Sequence, residues 1–144
     1  MLVTRRAYGH RMSWEARHVS VGIARPPAEV LAYAGDPRNL PAWAAGLARG
    51  VRPGADGVSW ITDSPMGEVA VRFAPPNDLG VLDHDVTLPD GTVVANALRV
   101  LPNDAGSEVV FTLFRRDGMD AAAFEADAAA VLEDLRRLRE VLER

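Results

Sequence analysis

The segment DAAAFEADAAAVLEDLRRLREVLER (120–144) constrains this chain more than any other. Phe124, Ala128, Val131, Leu135, Leu138 and Leu142 recur at helical spacing and form one apolar stripe. Asp120 stands where it can cap the first turn, and Met119 and Phe124 suit a hydrophobic staple. Glu133 precedes Arg137 by one turn and Arg136 precedes Glu140 likewise, on faces that suit solvent. So long a stripe must be buried against another element. Residues 50–117, which come before it, read as strands and turns, so that element is a sheet.

The strands are legible in the alternation. EARHVSVGIA (15–24) puts Val19, Val21 and Ile23 on one face and His18, Ser20 and Gly22 on the other. Two short helices follow. RPPAEVLAYA (25–34) has Pro27 in its first turn and Glu29 near the positive helix end. GDPRNLPAWAAGLA (35–48) has Asp36 as N-cap and Pro37 at the first helical position. Strands are then predicted at 57–62, 68–74, 79–88, 92–101 and 107–116, with a short one at 51–53. The stretches DSPMG, PPND, PDG and NDAG between them carry strong turn chemistry. Short strands with close turns imply an antiparallel meander. The expected fold is therefore α+β: a curved antiparallel sheet of six or seven strands wrapped around the long C-terminal helix, with the two short helices after strand 1 plugging one end. If the sheet curls more than the helix can fill, a cavity remains between them.

Composition sets outer limits. A length of 144 residues suits one domain, expected over 14–144. Residues 1–13 read as a basic N-terminal extension, expected to be disordered or to add to the first strand. The second Met, Met12, marks 1–11 as a possible upstream-start extension. The leader lacks the apolar core of a signal peptide. No apolar run approaches the roughly 20 residues of a membrane span. The charge of −4, from 20 acidic and 16 basic residues, argues against a nucleic-acid surface. Without cysteine there is no disulfide, thiolate nucleophile or cysteine metal site, which fits a cytoplasmic location. Every basic residue is Arg, so a lysine Schiff base is excluded.

VLDHDV (81–86) places three ionisable side chains in a row: Asp83, His84 and Asp85. The turn that follows, Leu88-Pro89-Asp90-Gly91-Thr92, suits a three-residue hairpin loop with Gly91 at a left-handed position. Leu88 then pairs with Thr92, Val86 with Val94, His84 with Asn96, and Leu82 with Leu98. Asn103-Asp104-Ala105-Gly106 suits a four-residue loop ending in a left-handed Gly106, which pairs Leu98 with Phe111 and Asn96 with Leu113. Both turns give one mostly apolar inner face, in which His84 and Asn96 are the polar pair. Asp83 and Asp85 point the other way, with Arg99 diagonal to Asp83. Side chains alternate, so the three cannot share one ion, and no metal site is expected. A buried histidine needs a partner, and Asn96 could be that partner or the pair could meet a ligand. Trp60, Met66 and Phe73 are candidates for core or lining. The Ala-rich helix start at 121–123 and 128–130 leaves volume.

Ile23, Pro26–Pro27, Val30, Asp36–Pro37, Leu40–Pro41 and Trp43, within IARPPAEVLAYAGDPRNLPAWAAGL (23–47), resemble the opening of the helix-grip superfamily. That superfamily includes START lipid-transfer domains, polyketide cyclase/dehydrase-like proteins and the birch-pollen allergen fold. Strand order and terminal helix extend the resemblance over about 14–143. GVLDHDV, RVLPN and GSEVVFTLFRR resemble a bacterial branch grouped with polyketide cyclases. The resemblance implies that Trp43 lies on a helix at a cavity mouth. The expected function is binding of a hydrophobic small molecule, lipid- or polyketide-like, in an internal cavity. The ligand-binding candidates are His84, Asn96, Trp43, Trp60, Phe73, Leu82, Leu98 and Phe111, with no cofactor. One alternative is an aromatase/cyclase- or dehydratase-type enzyme with His84 as acid or base. It needs a second positioned group, and the expected inner face offers no carboxylate. Another is a protein-interaction domain of the Hsp90-activator type, which needs a contiguous exposed apolar patch. Oligomeric state stays open.

Overall fold

The computed structural model describes residues 12–47 and 49–144. The expectations for residues 1–11 lie outside the described residues. Seven strands form one open sheet: β1 (Glu15–Ile23), β2 (Val51–Pro53), β3 (Trp60–Ser64), β4 (Gly67–Phe73), β5 (His84–Thr87), β6 (Val93–Asn103) and β7 (Gly106–Arg115). Their order is β1-β7-β6-β5-β4-β3-β2, and every neighbouring pair is antiparallel. Helix α1 (Pro27–Ala34) and the short α2 (Leu40–Trp43) follow β1, and α3 (Ala121–Leu142) closes the chain.

Helix α3 starts where its cap stands. The Asp120 carboxylate accepts from the Ala123 N–H at 2.8 Å, satisfying one of the free donors of the first turn. The apolar stripe faces inward: Phe124, Ala128, Leu135 and Leu138 are buried, and Val131 and Leu142 pack against them partly exposed. Leu135 and Leu138 meet Leu98, Val100 and Val109 of the sheet, Val30 of α1 and Trp43 of α2 in one core.

The predicted second helix is broken. It consists of a 3-10 turn at Pro37–Asn39, capped by Asp36, then the four residues of α2, then a second 3-10 turn at Ala45–Leu47. Pro41 has no N–H to give the Pro37 carbonyl, so a continuous α-helix loses a bond there. The predicted strand at 79–88 shortens to β5 for a different reason. Asn77 turns the chain on itself: its Oδ1 accepts from the N–H groups of Leu79 and Val81 at 3.0 and 3.1 Å, and its Nδ2 donates to the carbonyls of Pro75 and Val81 at 3.0 and 2.9 Å. Asp56 does the same before β3, accepting from Val58, Ser59 and the Ser59 hydroxyl, so that strand begins at Trp60 and not at 57.

The first hairpin has the expected loop. Leu88 donates to the Thr92 carbonyl at 2.8 Å, and Gly91 has φ +87°. The second differs. Asn103 pairs directly with Gly106, leaving a two-residue turn in which Asp104 takes the positive φ, +52°. Gly106 is outside the left-handed region, which corrects the expectation of a left-handed glycine there. Register survives because both loop lengths pair Leu98 with Phe111. Glycine is required at 106 for space instead: a Cβ there would stand 2.7 Å from the Ile23 carbonyl oxygen.

Leu135 is 1% exposed, so Leu135→Ala is expected to destabilise the fold by ~2–5 kcal/mol in denaturant titration. Gly106→Ala is expected to cost roughly 1–3 kcal/mol through crowding against backbone, and Gly91→Ala to be strained by its φ alone. A Gly106→Ala protein as stable as the wild type would contradict the packing account.

Candidate functional site

Strand β5 carries the polar residues, and its register fixes where each points. His84 pairs with Asn96 and Val86 with Val94, while on the other side His84 pairs with Phe73. Asp83 lies on the outer face in a two-pronged ion pair with Arg99, Nε to Oδ1 at 2.8 Å and Nη2 to Oδ2 at 2.7 Å. It also accepts from the Leu98 N–H at 3.1 Å. The Arg99 guanidinium holds its carboxyl below the usual range. Asp85 is exposed. Among the described residues, no three histidine, aspartate or glutamate side chains converge as a metal site would need.

His84 is fixed by its own strand. Its Nδ1 lies 2.9 Å from the Leu82 carbonyl oxygen. A carbonyl can only accept, so Nδ1 carries the proton and Nε2 keeps its lone pair. The ring sits between Phe73, 5.1 Å away centroid to centroid, and Phe111, 6.1 Å away and edge-on. Burial pushes its pKa below the ordinary value, against weaker opposing effects of the Leu82 carbonyl and of Asp83 and Asp85. The imidazole is therefore neutral near neutral pH. Its partner is the Leu82 carbonyl and not the Asn96 amide that register placed beside it.

Between the sheet and α3 lies an open groove of about 750 Å³. Its sheet wall is Val86, Leu88, Val94, Asn96, Phe111 and Leu113. Its helix wall is Asp127, Ala130, Val131 and Asp134, a second face of α3 beside the buried stripe. Trp14, Met66, Val93 and Phe114 stand at its edge, 48%, 67%, 56% and 40% exposed.

Of the eight candidates, Asn96 and Phe111 line this groove. His84 stands next to Phe111, and Phe73 packs on the other side of His84. Leu82 and Leu98 are core, and Trp60 is half-buried on β3 opposite Val71. Trp43 is buried in the core, its carbonyl accepting from Arg137 at 3.2 Å and its indole N–H without a partner among the described residues.

Sequence reasoning missed Asp134. Its Oδ1 accepts from the Ala45 N–H and from Arg137 Nη1, both at 3.1 Å. Burial raises its pKa above the usual carboxylate value, against the opposing Ala45 hydrogen bond and Arg137 charge. The signal was available: 127, 130, 131 and 134 share one helix face. A second groove of about 690 Å³, between α1 and the loop at 74–82, was also missed. Its best polar side chains are already used, Asp36 by Arg38 and Asn77 by its own loop, so it offers an occupant few handles.

An open antiparallel sheet gripping a long C-terminal helix, with a groove between the two, defines a helix-grip protein. The chain belongs to the polyketide cyclase/dehydrase and lipid transport family, whose model matches residues 15–143. Solved structures share the fold at low identity. XoxI from Bacillus cereus is 15% identical with a TM-score of 0.68, over 89% of this chain and 95% of that one. An uncharacterised protein from Bacillus thuringiensis is 15% identical with a TM-score of 0.72, over 90% of this chain and 100% of that one. DynU16, a protein in the dynemicin biosynthetic locus, is 18% identical with a TM-score of 0.67, over 89% of this chain and 47% of that one. No curated protein matches the sequence. No helix among the described residues is long and apolar enough to cross a membrane.

The neutral His84 has a pH signature. With the folded pKa below the unfolded value of 6.5, the unfolded chain takes up the proton first as pH falls. The stability His84 contributes is fully present above that unfolded value and lost as pH falls through the folded one. The wild-type melting temperature is expected to drop more steeply below about pH 6.5 than that of His84→Phe. Parallel curves for the two proteins would mean that His84 is not buried neutral.

Proposed function

We propose that this protein binds a hydrophobic small molecule, lipid- or polyketide-like, in the groove between α3 and strands β5 to β7. One observation carries the reading: the helix turns a small-residue face, Ala130 and Val131, toward an apolar sheet wall and leaves the space between unfilled. A groove of that size, mostly apolar with few polar groups, is the usual form of a small-molecule site. The family description supports a polyketide or lipid occupant. Within this reading Asn96 and Phe111 contact the ligand directly. His84, Phe73, Leu82 and Leu98 hold the wall behind them, and Trp43 and Trp60 support the helix side and the far strands.

The enzyme reading gains one group from the structure. Asp134 supplies a carboxylate on the groove wall, where the sequence had suggested none. An aromatase/cyclase or dehydratase would use it as the acid or base that His84, outside the groove lining, is poorly placed to be.

Nile red, a neutral apolar dye, is expected to bind the folded protein with a rise in fluorescence. Ala130 is exposed, so Ala130→Trp is expected to fill the groove, abolish the rise and leave the melting temperature nearly unchanged. Equal dye binding by this variant, verified as folded by circular dichroism, would remove the groove from consideration.

A further inference from the structure

The groove's polar atoms are few enough to read as a specificity. Asn96 contributes an amide with no side-chain hydrogen bond to the protein among the described residues. Asp134 contributes a carboxylate of which only Oδ1 is engaged, by the Ala45 N–H and Arg137. Its Oδ2 makes no hydrogen bond among the described residues. Asp127 faces the groove two turns nearer the start of α3, and Arg116 stands at the same end as Trp14 and Ser13. The charges lining the two ends therefore differ. The Arg116 end holds both a cation and a carboxylate, Asp127. At the Ala45 end the lining is carboxylate alone, with Arg137 holding Oδ1.

We infer that Asp134 selects the ligand's polar end: the groove accepts an apolar molecule whose head donates a hydrogen bond, as a hydroxyl does, and rejects one that ends in a carboxylate. This rests on the groove being the binding site. The physical reason is the state of the acceptor. A half-buried carboxylate with one oxygen unengaged gains a charge-assisted hydrogen bond from a donor. A second carboxylate would bring a like charge toward Asp134, whose neighbouring cation, Arg137, is already engaged at Oδ1. The Asn96 amide on the opposite wall can give or take a hydrogen bond, so it tolerates either head and does not discriminate. Asp134 is the residue that does.

The inference is testable with three probes of one shape: 2-naphthol, 2-naphthoate and 2-methylnaphthalene. Binding at neutral pH is followed by naphthalene fluorescence in wild type, Asp134→Asn and Ala130→Trp. In wild type, naphthol is expected to bind about tenfold tighter than methylnaphthalene, the scale of one hydrogen bond to a charged acceptor, with naphthoate weakest. In Asp134→Asn the side-chain oxygen can still accept from Ala45, and the new NH₂ becomes a donor. Naphthoate affinity is then expected to rise and naphthol affinity to fall. Ala130→Trp is expected to block all three. Should naphthoate bind wild type as tightly as naphthol while Ala130→Trp blocks both, the Asp134 inference is overturned and the groove reading stands. That result would place the ligand head at Arg116 instead. Should no probe bind, or should Ala130→Trp bind all three unchanged, the groove reading fails and takes this inference with it.

Discussion

One helix has to cover a seven-stranded sheet, and the rest of the structure follows from its being too narrow to do so. The buried stripe of α3, from Phe124 to Leu138, grips β1 and β7, and shares one core with Leu98 and Val100 of β6 and Val30 of α1. Toward β5 the same helix presents Asp127, Ala130 and Asp134, which are too small or too polar to reach the strands, with Val131 at the margin of the stripe. A leucine at 130 or 134 would extend the core and close the space. The groove is thus set by which residues flank the stripe and not by a separate element. The short pieces at 37–47 brace the other side, where Asp134 holds the Ala45 N–H and Arg137 holds the Trp43 carbonyl.

Much of this was legible because hairpin loops set register in whole residues. Once Leu88 pairs with Thr92, His84 must face Asn96, and once Leu98 pairs with Phe111 the apolar wall is complete. The second pairing was reached through a loop of the wrong length. A four-residue loop with left-handed Gly106 and a two-residue turn with left-handed Asp104 give the same partners, so the wall followed although the turn did not. What fixes glycine at 106 is the approach of the Ile23 carbonyl, a contact between residues far apart in sequence. Period and turn chemistry carry no trace of such a contact.

The misses have a common physical source. Asn77 and Asp56 take backbone N–H groups that a strand would have used, and alternation alone reads through them. Pro41 interrupts the helix that the Asp36 cap starts, because it has no N–H for the Pro37 carbonyl. Asp134 looked like one more residue on a solvated helix face. It becomes a groove residue only when the curvature of β5 to β7 brings a wall across from it, and curvature is a property of the whole sheet.

The polar side chains of the inner face divide by whether the protein satisfies them. Thr62 donates to the Gly50 carbonyl at 2.6 Å, Ser64 to Gly67 at 2.8 Å and Ser107 to Arg25 at 2.8 Å. His84 donates to Leu82. Each closes its hydrogen bond onto nearby backbone, as buried polar groups must, and each is thereby explained as structure. Asn96 and Asp134 Oδ2 are not closed in this way, and both line the groove. The same test moves the functional weight from His84, the residue most conspicuous in the sequence, to two less conspicuous neighbours. It also isolates Trp43, whose indole N–H is buried beside the same helix without a partner among the described residues. An unpaired buried donor costs ~1–3 kcal/mol, which the apolar contacts of the indole within the core offset.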